Sequence, residues 1–150
     1  MTDTYTVDEF LRQFSIKHAK LFDGVRHDSG CPFEFGEKII KKYESYGIDP
    51  MSKTIVFSDA LTFEKCAELQ KYFEGRIKVS FGIGTNLSNN LYDIHDGKRI
   101  KPCNIVVKLS KFQVNPRQPI NGCVKLSDNV EKAIGDPNDI EVYKYLIGMK

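Results

Sequence analysis

The chain has 150 residues, 41% of them hydrophobic, and its 22 basic and 20 acidic side chains leave a formal net charge of +2. That length supports one globular core, while scattered, nearly balanced charge argues against a nucleic-acid surface, which clusters its lysines and arginines. No apolar run approaches the roughly 20 residues that span a bilayer, the opening Met1-Thr2-Asp3-Thr4 lacks signal-peptide character, and four irregularly spaced cysteines read as free thiols.

A cytoplasmic protein with no nucleic-acid or membrane partner is therefore expected. Lys41-Lys42 and Lys98-Arg99-Lys101 are read as solvated surface.

In chain order, Thr6 and Glu9 have the spacing of a capping box, and Phe10, Leu11 and Phe14 give the following helix an apolar face. Residues 19–22 are a short strand candidate ending just before Arg26. Pro32 suits the first position of the next helix, where its missing N–H has no intrahelical partner. Phe35, Ile39, Ile40 and Tyr43 recur at helical spacing, and Gly47 stops that helix. Residues 54–57 form a β-rich run. Thr62 then caps a helix striped by Cys66, Leu69 and Phe73, with Gly75 at its end, and residues 77–81 form the next strand.

Strand, helix, strand, helix, strand predicts α/β architecture with parallel crossovers. Beyond residue 100 the pattern changes. Residues 104–109 read as a strand, 115–119 as a turn and 123–127 as a strand pairing back. A last helix over 139–146 would bury Ile140, Tyr143 and Leu146.

Three polar loops leave the strand ends, where ligands bind in parallel α/β folds. Gly24-Val25-Arg26-His27-Asp28-Ser29-Gly30 offers a guanidinium for phosphate or carboxylate oxygens. Its Asp28 suits ribose hydroxyls or a Mg²⁺ ion, and Ser29 and the N–H groups near Gly30 face the entry to a helix. An anion there gains about 0.3–1 kcal/mol per charge. The plainer reading is that Arg26 and Asp28 pair with each other.

Ser58-Asp59 places a second carboxylate for hydroxyls, or for capping. Gly82-Ile83-Gly84-Thr85-Asn86 offers flexible backbone donors and a hydroxyl, without the lysine of a P-loop or the third glycine of a dinucleotide fingerprint. Asp3 would reach the same edge if a strand preceded it. His18, His27 and His95 show no ligand spacing, and a loop hydrogen bond is the reading for His27.

Asp3-Thr4-Tyr5, the run from Lys20 through RHDSG (residues 26–30) to Lys38, Val56-Phe57-Ser58-Asp59, residues 78–87, residues 102–108 and Lys125-Leu126-Ser127-Asp128 together resemble the nicotinate phosphoribosyltransferase family. The resemblance implies a type II phosphoribosyltransferase of NAD salvage, built on an irregular TIM-like α/β barrel. Such enzymes make nicotinate mononucleotide and pyrophosphate from nicotinate and phosphoribosyl pyrophosphate. ATP hydrolysis is coupled through a phosphohistidine, with Mg²⁺ present.

By this resemblance Arg26 and Asp28 are catalytic, Asp28 and Asp59 meet ribose hydroxyls, and Ser29, Gly30 and Ser58 line the substrate. Gly82, Gly84 and Thr85 would hold the 5′-phosphate, and Asp3 with Asp28 would hold Mg²⁺. Residues 1–100 would be part of the barrel, and 101–150 a strand-and-helix extension of the same domain.

The family chain is far longer, and its phosphorylated histidine lies before this stretch. A C-terminal part without independent activity is expected, completed by an N-terminal region or a second copy. Cys31 stands where the family carries aspartate, a loss of about 0.5–2 kcal/mol if that position caps the helix. The alternatives are a non-catalytic oligomerisation module, a small sugar-phosphate-binding domain, or the related nicotinamide-specific class.

Overall fold

The computed structural model describes residues 2–103, 106–129 and 132–149. Two short helices open the chain, α1 (Val7–Gln13) and α2 (Ile16–Leu21). Thr6 caps α1 by accepting from the Glu9 N–H at 3.2 Å, but the Glu9 carboxylate turns outward to Arg12, so only half of the capping box forms. Residues 19–21 are helical, not extended. His18 Nδ1 accepts from the Ser15 N–H, which anchors the turn that starts α2. The strand lies further on, as β1 (Gly24–His27).

The series continues with α3 (Pro32–Ser45), β2 (Thr54–Phe57), α4 (Phe63–Phe73) and β3 (Lys78–Phe81). The three strands form one parallel sheet in the order β1-β2-β3, with Arg26, Val56 and Ser80 in one row and His27, Phe57 and Phe81 in the next. Among the described residues the sheet is open and does not close into a barrel.

Side-chain alternation decides which face is covered. Val25, His27, Ile55 and Phe57 turn to the helices and are buried, meeting Phe35, Ile39, Ile40 and Tyr43 of α3 and Leu69 and Phe73 of α4. His27 is thus a core residue, 1% exposed between Phe35 and Phe57 at ring distances of 5.0 and 5.6 Å. Neither ring nitrogen has a partner in good hydrogen-bond geometry, although the Ser29 and Gly30 backbone lies close enough to act on the ring. Burial pushes its pKa down against the opposing Asp59 charge and the Ser29 and Gly30 backbone.

After β3 come α5 (Thr85–Ser88), β4 (Lys111–Phe112), β5 (Asn121–Gly122) and α6 (Pro137–Leu146). The expected strand over 104–109 is not formed at 106–109, where Val106, Val107 and Leu109 are exposed; residues 104 and 105 lie outside the described residues. Pairing falls instead on β4 and β5, which are antiparallel, with the expected turn between them. Within 123–127 the one isolated bridge joins Lys125 to Ile134, while the Cys123 and Leu126 N–H groups donate to the Ser110 and Thr4 carbonyls. On α6, Leu146 is 68% exposed and Tyr143 stacks on Tyr5 at 6.0 Å, so that helix does not bury the stripe its spacing suggested. Among the described residues, no helix is long and apolar enough to cross a membrane.

Two glycines are fixed by close approach. A Cβ on Gly24 would fall 1.8 Å from the Thr54 carbonyl oxygen of the neighbouring strand, and one on Gly36 would fall 2.1 Å from the fully buried Phe73 ring. Gly36→Ala is therefore expected to destabilise the fold by about 1–3 kcal/mol through overpacking, beyond the roughly 1 kcal/mol alanine gains in a helix. Urea unfolding measures this, and unchanged or raised stability would refute the contact.

Candidate functional site

The carboxyl ends of the three strands stand side by side, and the ladder continues one step past them. The Ser58 N–H donates to the His27 carbonyl at 3.2 Å and the Gly82 N–H to the Phe57 carbonyl at 2.8 Å. This aligns Asp28, Ser58 and Gly82 along one edge. The Ser58 hydroxyl also donates to the His27 carbonyl, at 2.9 Å, so it reinforces the joint between β1 and β2. Ala60, just past Asp59, takes a left-handed backbone (φ 49°).

Chain segments far apart in sequence close over this edge. The Thr2 hydroxyl donates to the Arg26 carbonyl at 2.6 Å, and the Leu126 N–H donates to the Thr4 carbonyl at 2.8 Å. Asp3 is thereby held inside, with its side chain fully buried. Three donors converge on its Oδ2: the Ser29 hydroxyl at 2.8 Å, the Lys125 ammonium at 3.0 Å and the Ser127 hydroxyl at 3.1 Å. Ser127 adopts a left-handed backbone (φ 62°), a strained state for a residue with a side chain. Asp128 turns the other way and accepts from the Val7 N–H through both oxygens, at 3.1 and 3.0 Å, serving as a cap from across the fold.

Every candidate carboxylate at this edge has a cation. Arg26 Nη2 lies 2.6 Å from Asp28 Oδ1, and Lys125 lies 3.9 Å from Asp28 Oδ2. Lys132 donates to Asp59 Oδ1 at 2.6 Å and to the Asp28 carbonyl at 2.8 Å, joining the first two loops. The plainer reading of Arg26 and Asp28 is thus realised geometrically. An ion pair with the guanidinium half exposed contributes only about 0–1 kcal/mol, however.

Of the predicted residues, Arg26, Asp28, Ser29, Gly30 and Thr85 line three concavities, whereas Asp3, Ser58, Asp59, Gly82 and Gly84 do not. One of about 500 Å³ is lined by Arg26, Asp28, Lys108, Lys125 and Lys132 together with apolar neighbours. A second, of about 490 Å³, has Ala60, Thr85, Asn86, Arg99 and Lys101 on its walls. The third, of about 270 Å³, is formed by Ser29, Gly30, Cys31, Glu34, Lys38 and Asp128 with Val7 and Phe35. Gly84 has open space where a Cβ would stand, and Gly30 takes φ 81°. Cys31 occupies the cap position of α3 without making a side-chain cap bond.

Lys125, Ser127 and Lys132 had no assigned chemistry in the sequence reading. The signal available was the Lys125-Leu126-Ser127-Asp128 motif, but its contacts with Asp3 and Ser29 cross about a hundred residues or more and have no local signature.

The implied Mg²⁺ does not fit Asp3 as a protein-held ion. Mg²⁺ requires near-octahedral oxygen coordination and keeps several waters, whereas Asp3 is enclosed and its Oδ2 is already crowded by three donors. Among the described residues, no three His, Cys, Asp or Glu side chains are grouped to hold a metal ion.

The two neighbouring carboxylates are pushed in opposite directions. Burial alone would raise Asp3, but the Lys125 ammonium and the Ser29 and Ser127 hydroxyls outweigh it and hold its pKa below the ordinary range. Burial raises Asp128 despite the Val7 N–H, with the Asp3 charge adding to the rise. A depressed folded pKa contributes stability above the unfolded value and loses it as pH falls through the folded one. The stability gap between the native chain and Asp3→Asn should therefore be widest near neutral pH and narrow with acid. Urea unfolding across the carboxylate range tests this, and a gap independent of pH would contradict it.

Comparison with known proteins gives one consistent answer. The model of the nicotinate phosphoribosyltransferase (NAPRTase) family matches residues 1–146. The nicotinate phosphoribosyltransferase of Vibrio cholerae (strain ATCC 39541) is 47% identical over 135 residues, 89% of this chain and 30% of that protein. That of Methanococcoides burtonii is 44% identical over 152 residues, 100% of this chain and 35% of its own. A crystal structure of nicotinate phosphoribosyltransferase from Porphyromonas gingivalis superposes with a TM-score of 0.87 at 48% identity, covering 99% of this chain and 37% of that one. The crystal structure from Vibrio cholerae gives 0.85 at 42%, covering 99% and 34%. The chain spans about a third of the length of the curated relatives it matches.

Proposed function

The chain belongs to the nicotinate phosphoribosyltransferase family, and from that premise we propose that it carries the phosphoribosyl part of an enzyme joining nicotinate to phosphoribosyl pyrophosphate. The products are nicotinate mononucleotide and pyrophosphate, made in NAD salvage. ATP is a co-substrate of the full-length enzyme. The three strands are proposed to be staves of the family's barrel. Residues 101–150 are read as an extension of the same domain, supported by the hydrogen bonds from Leu126, Ser127 and Lys132 to its first 59 residues.

The observation that carries the reading is the common edge, where Asp28, Ser58 and Gly82 stand in line, with Asp28 in the wall of a cavity that Arg26, Lys125 and Lys132 also line. Loss of pyrophosphate from a ribosyl centre leaves positive charge on the sugar and moves negative charge onto the leaving group. Cations facing the second and carboxylates facing the first lower that barrier, because they are set before reaction. Asp28 and Asp59 take the ribose hydroxyls, whose protons replace the guanidinium and ammonium partners they hold here. Arg26 turns to the pyrophosphate with the backbone N–H groups near Gly30, while the Ser29 hydroxyl stays on Asp3. Gly82, Gly84 and Thr85 receive the 5′-phosphate in the neighbouring cavity. Alignment of the nicotinate nitrogen with C1′ supplies the rest, and no protein nucleophile at the sugar is needed. His27 cannot be the ATP-coupling histidine, because it is sealed between two phenylalanines. This third of the enzyme is proposed not to turn over alone.

A second reading, association with another copy or chain, is favoured by one observation. Both β1 and β3 are outer strands of a sheet that does not close among the described residues.

Titration calorimetry with nicotinate mononucleotide tests the first reading on a folded sample of known oligomeric state. Saturable binding that weakens about tenfold or more in Asp28→Ala is expected, since a hydrogen bond to a charged group contributes roughly 1.5–3 kcal/mol. No binding to the folded chain would remove the proposed subsite from it. Assembly that rises with concentration and ignores the nucleotide would favour the second reading.

A further inference from the structure

The geometry points to Asp3 as a positioning residue for the Lys125 ammonium rather than a ligand to a divalent cation, so that the positive charge facing this cavity is borne by the protein. The inference deepens the phosphoribosyl reading, and it rests on that reading only for the identity of the incoming anion.

Asp3 Oδ2 receives the Ser29 hydroxyl, the Lys125 ammonium and the Ser127 hydroxyl, which is all that one carboxylate oxygen can accommodate. Oδ1 is buried and has no hydrogen-bond partner. Coordination through Oδ1 would require a path for a hydrated ion to a side chain that is fully enclosed.

The backbone around the pair is fastened independently of any ion. Thr2 and Thr4 are tied to Arg26 and Leu126, and the Lys125 and Ile134 backbones exchange two hydrogen bonds, at 2.8 and 2.9 Å. Lys125 is not enclosed to the same degree. Its side chain is 14% exposed, and it reaches the cavity wall beside Arg26 and Lys132.

Charge balance gives the same answer. Asp3 has Lys125, Asp28 has Arg26 and Asp59 has Lys132, with Lys108 as a further cation on the cavity wall. A divalent ion held at Asp3 would have to expel an ammonium that two chain segments already hold in place. An incoming anion meets no such obstacle, because Lys125 can turn a proton towards it while keeping its bond to Asp3. Fixing one long, flexible side chain in advance lowers the ordering cost of binding.

The test uses the full 150-residue chain and Mg²⁺ alone as the first probe, read by NMR at the Asp3 carboxyl carbon and the Lys125 ammonium nitrogen. Both signals are expected to stay in place as Mg²⁺ is added to large excess. A saturable shift at Asp3, with loss of the protected Lys125 ammonium signal, would overturn the inference. In Asp3→Asn the Lys125 ammonium signal should broaden by faster proton exchange while that of Lys132 persists, an outcome that a general loosening of the fold would not give. Equal broadening of both would count against the positioning role.

Pyrophosphate added without Mg²⁺ is expected to bind the native chain and to bind Asp3→Asn about tenfold or more weakly. Absence of pyrophosphate binding to the native chain would refute the phosphoribosyl reading. The Mg²⁺ titration decides the role of Asp3 in either case, and it needs no variant to fold.

Discussion

A single buried oxygen, Oδ2 of Asp3, organises the edge at the carboxyl ends of the strands. It accepts from Ser29 after the first strand and from Lys125 and Ser127 in the C-terminal segment, so one atom joins the start of the chain, the first strand's loop and the C-terminal segment. A carboxylate without exposure is costly unless its charge is met and its hydrogen bonds are made. Here burial would raise the pKa, and the ammonium with two hydroxyls more than offsets it. The lone unpartnered Oδ1 is the remaining cost. Ser127 also accepts left-handed backbone strain to deliver its hydroxyl. Both are costs that ordinary packing does not require.

From this anchor outward, charges come in pairs that a ligand can exchange. Asp28 and Asp59 hold Arg26 and Lys132, and both carboxylates are partly exposed where Asp3 is not. Such half-exposed pairs add little stability. Their value in the proposed reaction is that opposite charges stand in place without a bound substrate, one set for hydroxyls and the other for phosphates. The core beneath serves the same end. His27 and Phe57 point into the helices, so Arg26 and the residues following each strand are directed to the other face and the edge.

Much of the fold was legible because it is encoded locally. Thr6, Pro32 and Thr62 begin helices where their chemistry requires, and the buried residues of α3 and α4 follow from 3.6-residue spacing. Residues 19–22 mislead, because a four-residue stretch such as Ala-Lys-Leu-Phe is too short for periodicity to separate strand from helix. The contact that settles it, His18 turning back to Ser15, looks like ordinary polar sequence. β1 reads as loop in the sequence because one of its two inward residues is a histidine, which periodicity counts as polar. The tail misled for the opposite reason. Val106, Val107 and Leu109 look like core, yet they are exposed in this third of a family-length protein.

The candidate site was only half legible. Its loop residues could be named because each follows an apolar run at a strand end. Lys125, Ser127 and Lys132 could not, because their roles exist only through partners at the other end of the chain. Asp3 could be named but not understood, since burial and a lysine at 3.0 Å make it a poor place for a metal ion.

The most direct test is a double-mutant cycle on unfolding free energy with Asp3→Asn, Lys125→Met and the pair, at neutral pH and without divalent ions. The account predicts that the two changes are strongly non-additive, with a coupling of at least about 1.5 kcal/mol, because each single change leaves a buried charge or acceptor without its partner. Effects that add to within about 0.5 kcal/mol would mean that Asp3 and Lys125 merely lie close together, and the anchoring of the site would have to be sought elsewhere.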